Sequence, residues 1–315
     1  MTPARRRLSL LLALAIAACT APTPSATPGA SSSAGPIADA DPPELVLQVA
    51  VGDSLELYVL DPLDGSLSPI RPPDGAWLLG DADSGGGFLL TSGAAGDRAA
   101  LIARLAADGL EVTRRVPLSR EVLAEDAFLF PGCHSAGGRI AVAGAQSLQL
   151  VILGDDGSTT PVAPMRDVLG ECAWVDDDRL ALTLDRIGDP IVIWQAGELS
   201  QTTAAGRHPS SAGLRLASVE RPDGRWQVVV RERAPGAAPT DLGAVRWRFA
   251  ARAPTENLSS PALSADGRWL AMLAYEGERG VSRLRVADLE RDGLIVADLG
   301  APEGTSTIDW IRRRP

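Results

Sequence analysis

Residues 260–273 read SPALSADGRWLAML, Ser260 to Leu273. A short apolar run, Pro261-Ala262-Leu263, meets a polar turn, Ser264-Ala265-Asp266-Gly267. A second apolar run then starts at Trp269. Asp-Gly between two such runs signals a hairpin, because glycine tolerates the positive φ that a tight turn needs. Either the turn is a loop that carries chemistry or it is one copy of a repeated structural unit. Four other stretches decide between the two. They are GDADSGGGFLLTSG (Gly80 to Gly93), PGCHSAGGRIAVAG (Pro131 to Gly144), CAWVDDDRLALTL (Cys172 to Leu184) and PSSAGLRLASV (Pro209 to Val219). Each has a short run of apolar or small residues, a turn of Asp, Gly and Ser, and then an alternating strand.

Each unit continues with two further strands. Leu148 to Leu153 leads through Gly154-Asp155-Asp156-Gly157 into Thr159 to Ala163, and Ser282 to Leu289 leads through Glu290-Arg291-Asp292-Gly293 into Leu294 to Leu299. Near the N-terminus, Leu55 to Leu60, Asp61 to Gly65 and Leu67 to Ile70 repeat the pattern. A four-strand unit every 40 to 50 residues is the period of a propeller blade, roughly 40–50 residues in known arrays. From Glu44 onward there is room for about six. The first unit lacks an innermost strand, since Glu44 to Val51 already reads as its second. Ser306 to Ile311, STIDWI, resembles the CAWV of the fourth unit and is the expected missing strand. The sequence therefore predicts an all-β fold, a β-propeller of six four-stranded blades over residues 44–315, with N- and C-terminal strands joined in one blade. Such a join removes an exposed sheet edge.

The stretch LSADGRWLAML also resembles the repeat of TolB-like and WD-like bacterial propellers, whose pattern is roughly Ser-Pro-Asp-Gly-Arg before a strand. Ser264, Asp266, Gly267 and Arg268 match, and Ala265 replaces the proline. The other units match in outline only, and the fifth, about residues 208–246, is the least regular. The resemblance implies a fold and transfers no activity, since such folds host many functions.

The N-terminus carries a different signal. Arg5, Arg6 and Arg7 precede an apolar run, Leu8 to Ala18, which is short for a bilayer span and ends in Ile16-Ala17-Ala18-Cys19. This resembles the signal of bacterial lipoproteins, in which the cysteine is lipidated and becomes the first mature residue. The resemblance implies a signal peptide over 1–18, an acyl-bearing Cys19, and a membrane anchor facing outside the cytoplasm. Residues 20–43 are rich in Pro, Ser, Thr, Ala and Gly, a composition expected to form a flexible tether.

Composition limits the partners. The formal net charge is -10 and hydrophobic residues make up 45%. All basic side chains are arginine and they are scattered among carboxylates, so the clustered positive surface that nucleic acid requires is not expected. The remaining partners are a membrane, through Cys19, and a protein, peptide or glycan on a propeller rim.

Few residues assemble into a catalytic pattern. Cys133 and Cys172 fall on innermost strands of neighbouring units, and an exported chain favours a disulfide between them over two buried thiols. His134 adjoins Cys133, but neighbours in a strand point to opposite faces, so the two do not share a ligand. His208 is the only other histidine. Asp81, Asp83, Asp126, Glu171, Asp176 and Asp309 lie near the inner strands. Among them Asp126, Glu171 and Asp309 are the candidates for a channel site binding a cation or performing acid–base work on a carbohydrate. Asp176-Asp177-Asp178 reads more simply as a hairpin turn. Lactonase-type propellers use asparagine among their calcium ligands, and this chain has one, Asn257. No Gly-x-Ser-x-Gly elbow is present. No catalytic residue, cofactor or metal ligand is therefore assigned. Trp77, Trp174, Trp269 and Trp310 are expected in the core between blades, with stacking on sugars as the alternative.

Overall fold

The computed structural model describes residues 41–311 apart from 52–53, 74–76, 83–86, 93–98, 107–108, 119–128, 145–148, 165–167 and 277–280. Within them, 24 strands, from β1 (Glu44–Val51) to β24 (Thr305–Ile311), form six antiparallel sheets of four. Blade 1 has the order β24-β1-β2-β3, where β2 is Ser54–Leu60 and β3 is Leu67–Ile70. Blades 2 to 6 each use four consecutive strands, over residues 77–117, 129–164, 168–205, 207–250 and 256–300. The fifth unit is thus as complete as the others.

The innermost strands are β24, β4 (Trp77–Ala82), β8 (Leu129–His134), β12 (Val168–Trp174), β16 (Arg207–Ala212) and β20 (Glu256–Leu263). Each contacts the next, and β20 contacts β24, so the ring is closed. The closure is the antiparallel pairing of β24 with β1, with Glu44 opposite Ile311, Leu45 opposite Trp310, Val46 opposite Asp309 and Leu47 opposite Ile308.

The alternation expected in the second strand of each blade takes a different form here. In β13 (Arg179–Leu184) and β21 (Trp269–Glu276), the runs Leu180 to Leu184 and Trp269 to Ala274 are buried continuously. The reason is that both faces of a blade are covered by neighbouring blades, so period 2 sorts side chains between two neighbours and not between core and solvent. Leu180, Leu182 and Leu184 pack toward blade 3, and Ala181 packs toward blade 5. Trp269, Ala271 and Leu273 pack toward blade 1, while Leu270, Met272 and Ala274 pack toward blade 5. Six apolar clusters result, each spanning one blade boundary. The outer strand β19 (Ala244–Ala250), which sees water, alternates. All four expected core tryptophans are buried at these boundaries.

The opening stretch is a hairpin whose every polar residue has a structural task. Ser264 N–H donates to the Trp269 carbonyl at 2.9 Å, and Gly267 N–H to the Ser264 carbonyl at 2.7 Å. Gly267 sits at φ 71°, where a side chain would be strained. The Ser264 hydroxyl donates to Asp266 at 2.6 Å and accepts from Trp269 N–H at 2.8 Å. Arg268 crosses to the end of the third strand and pairs with Asp288 through Nε at 3.2 Å and Nη2 at 2.8 Å, both residues being buried. Blades 3 and 4 repeat the closing bonds, Ser135 N–H to the Arg139 carbonyl and Val175 N–H to the Arg179 carbonyl, each at 2.9 Å.

Candidate functional site

All innermost strands run toward the same end of the ring. There, the last residues of five of them (His134, Trp174, Ala212, Leu263 and Ile311) border a cavity of about 500 Å³. The hairpins that follow those strands in blades 3 to 6 form its rim, and Pro43, just before β1, also lines it. The turns expected to be purely structural therefore also shape a concave surface. A volume of this size lies within the ~300–1,000 Å³ typical of ligand pockets.

Two indoles fix the wall. Trp174 Nε1 donates to the Cys133 carbonyl at 3.3 Å, and Trp310 Nε1 donates to the Ala262 carbonyl at 2.8 Å. Each acceptor is the penultimate residue of the preceding blade's innermost strand, so the two rings occupy equivalent places three blades apart. Their polar edges are satisfied within the protein, and Val175, Leu214 and Leu263 continue an apolar lining.

The carboxylates at this mouth are engaged. Asp176 accepts from the backbone of Asp178 at 3.1 Å and Arg179 at 2.9 Å, and from Arg179 Nε at 2.7 Å. Burial pushes its carboxyl up, but Arg179 outweighs that and holds it below the ordinary carboxylate value. Asp177 accepts from Gly137 N–H at 2.6 Å, and Asp266 from Ser264 and Arg268. The triple-aspartate segment is thus the turn that its sequence indicates.

Cys133 and Cys172 are bonded through their sulfurs, with Cα atoms 5.9 Å apart, across the boundary of blades 3 and 4. His134 is 2% exposed and borders the cavity.

Upstream along the inner strands the chemistry changes. Glu171 lies three residues before Trp174, roughly 10 Å at ~3.3 Å per residue. It accepts from the His208 backbone N–H at 2.5 Å, and its other oxygen lies 3.1 Å from His208 Nδ1. His208 holds φ 49°, in the left-handed region. Beside it Arg207 forks onto Asp189 at 2.9 and 3.0 Å. The sequence did not single out this group as a unit.

Of the candidate channel carboxylates, the two described residues, Glu171 and Asp309, are not brought together. Glu171 belongs to blade 4 and Asp309 to blade 1, on opposite sides of a six-membered ring. Asp309 is 2% exposed, and one of its oxygens accepts from Trp310 N–H at 2.7 Å. Asp126, Asp83, the side chain of Asp81, and Cys19 lie outside the described residues. Among the described residues no group of three or more His, Cys, Asp or Glu is placed to hold a metal ion, and no helix is long and apolar enough to cross a membrane.

Arg233 is the functional candidate that sequence reasoning missed. It follows β18 (Gln227–Glu232), a third strand, where no repeat pattern points to the channel. Because the neighbouring hairpin of blade 5 is only Gly213-Leu214, Arg233 reaches across it. Its backbone N–H donates to the Leu214 carbonyl at 3.0 Å, and its guanidinium joins the cavity wall.

The comparisons with known proteins place the chain at the level of fold. No family model matches the sequence, and no curated protein matches it. Solved propellers do match. The β-propeller domain of Cps50 (Swd1) from Myceliophteria thermophila is 14% identical, covering 85% of this chain and 93% of that one, with a TM-score of 0.50. A protein from Bacteroides caccae is 12% identical over 86% and 99%, with a TM-score of 0.48. Virginiamycin B lyase from Staphylococcus aureus, in a catalytically inactive form with quinupristin, is 14% identical over 83% and 85%, with a TM-score of 0.45. At such identities the likeness is one of architecture, and the class is a six-bladed β-propeller.

Proposed function

We propose that this chain is an envelope lipoprotein, tethered outside the cytoplasm through lipidated Cys19, whose propeller binds a protein, peptide or glycan partner at the cavity mouth. The observation that carries the binding role is the cavity itself. It is concave, walled by Trp174 and Trp310, and its carboxylates Asp176, Asp177 and Asp266 are occupied with forming the rim. A rigid ring with apolar walls and fixed turns presents a recognition surface, and the described residues at that mouth form no acid–base pair. The test is crosslinking and pull-down of the lipidated protein from its own membranes, beside Ala265→Arg and Ala136→Arg. Both substitutions fill the mouth from turn positions. Partner capture is expected to fall to background in both variants while the melting curve stays unchanged; unaltered capture refutes the reading. For the anchor, Cys19→Ala is expected to move the protein from the detergent phase to the aqueous phase, and equal partitioning refutes lipidation.

The contact of Glu171 with His208 favours a second reading, a hydrolase or lyase acting on carbohydrate with channel carboxylates. Turnover of an envelope glycan by the purified domain, abolished in Glu171→Gln, selects that reading over binding alone.

A further inference from the structure

Among the described residues, Arg233 is the least compensated charge at the cavity. Its side chain is 10% exposed, and Asp176, 3.8 Å away, already pairs with Arg179 at 2.5 Å. Two guanidinium groups thus share one carboxylate. Arg233 Nη2 makes two long bonds to the carbonyls of Val175 at 3.4 Å and Gly213 at 3.3 Å, and the buried Nε has no hydrogen-bond partner. Burial, and after it the charge of Arg179, hold the group's pKa below the usual guanidinium value against the opposing pull of Asp176. An unsatisfied buried donor on a charged group is costly. A protein that only needed a sound core would not retain this one at a cavity wall.

The exposed acids of the rim do not reverse the sign. Asp177 and Asp266 lie in solvent-facing turns, where water and salt screen them, and each already accepts backbone or hydroxyl hydrogen bonds. The charge in the wall acts across a low-dielectric surface between Val175 and Leu214 and dominates what a bound group meets.

Building on the binding role proposed above, we infer that the cavity takes a carboxylate carried on an apolar body, with Arg233 as its counter-ion and Trp174, Leu214, Leu263 and Trp310 around its apolar part. A free apolar acid and the C-terminal residue of a peptide share this chemistry. Arginine is suited to it, since its planar fork matches a carboxylate and needs no proton transfer.

Titration calorimetry on the intact folded domain tests the inference with four probes: N-acetyl-phenylalanine, its amide, and a hexapeptide ending in phenylalanine with either a free or an amidated C-terminus. At least one free acid is expected to bind tenfold or more tightly than its amide. Arg233→Gln is expected to erase that preference, and Arg233→Lys to retain part of it. Tight binding of the peptide acid beside weak binding of the small acid identifies a chain terminus as the source; the reverse identifies a free acid. Equal binding of acids and amides overturns the carboxylate inference and leaves the cavity as a binding site. No binding of any probe, while Ala265→Arg still abolishes partner capture, overturns it as well and leaves the proposed function standing. Should Arg233→Gln fail to fold, the acid–amide comparison on the unaltered protein decides alone.

Discussion

The two ends of the inner strands use the same residue types for opposite purposes. Where the strands end, at the cavity, carboxylates stabilise hairpins that the fold needs, as Asp266 does between Ser264 and Arg268. Where they begin, Glu171, His208, Arg207 and Asp189 bind one another, and His208 and Asp189 sit at φ 49° and 45°. A left-handed non-glycine residue costs about 1–2 kcal/mol. At His208 it belongs to an inner-strand bulge, as at Ser260 (φ 45°) in blade 6, and at Asp189 to a hairpin turn closed by its N–H on the Arg186 carbonyl at 2.9 Å. At one end, then, polar residues are explained by the fold and the ligand role falls to cavity shape and Arg233. At the other, the fold explains the backbone conformations and leaves the contact of Glu171 with His208 unexplained.

Four experiments test this contrast, beginning with the largest effect. Deleting the chain from Thr305 removes Ile308, Trp310 and Ile311, all buried, and strips β1 of its partner. Losing three such side chains, one of them a tryptophan at ~3–5 kcal/mol, rivals the ~5–15 kcal/mol total of a typical domain. The cooperative melt is expected to vanish in calorimetry. A truncated protein with an unchanged midpoint shows that the cavity end does not depend on the closing strand.

The paired change Cys133→Ala and Cys172→Ala opens a crosslink between residues 39 apart in sequence. Loop-closure entropy sets the loss at about 4 kcal/mol. Denaturant melts of oxidised, reduced and doubly substituted protein measure it, and three coincident curves dispose of the bridge.

Asp176→Asn acts on a rim turn. At neutral pH it is expected to cost about 1–2 kcal/mol, the worth of charge-assisted bonds to Arg179. Because the folded carboxyl titrates below its unfolded value, its contribution is present above the ordinary carboxylate pKa of ~3.9. That contribution disappears as pH falls through the folded value. The stability difference between parent and variant is therefore expected to close in acid, and a gap that persists at low pH contradicts the assignment.

The smallest expected effect comes from the other end. His208→Gly relieves the left-handed strain and loses the 3.1 Å contact with Glu171, while the backbone bond to that carboxylate can remain. These changes nearly cancel, for a net shift within about 1 kcal/mol. A much larger loss of stability places His208 among the fold's structural residues and removes the contrast.

The architecture was legible because a propeller repeats its turn chemistry. Ser264, Asp266, Gly267 and Arg268 each close the same hairpin in the structure that the repeat implied, and STIDWI takes the place left vacant in blade 1. The cavity was not legible, because it arises only where several strand ends converge, and Arg233 reaches it from a third strand across a two-residue hairpin. A signal for Glu171 with His208 did exist. Residues one blade period apart on inner strands become neighbours, as Cys133 and Cys172 do at a separation of 39, and Glu171 and His208 are 37 apart. The triple aspartate shows the limit of counting acids, since all three positions belong to one hairpin.

The pairing of β24 with β1 also orders events in time. A chain made from its N-terminus produces β1 first and its partner last, with the Ser306 hydroxyl bonding the Gln48 carbonyl across 258 positions. Until then blade 1 has three strands and an unpaired inner edge, the kind of edge that recruits other chains. Closing so long a loop costs about 5 kcal/mol from an unstructured chain and much less once five blades have stacked, so ring closure is expected as a late, slow step of folding. Trp310 and Ile311 arrive with that strand. The cavity therefore lacks its Trp310 and Ile311 wall in any earlier intermediate, and tight ligand binding during refolding is expected to appear as the ring closes.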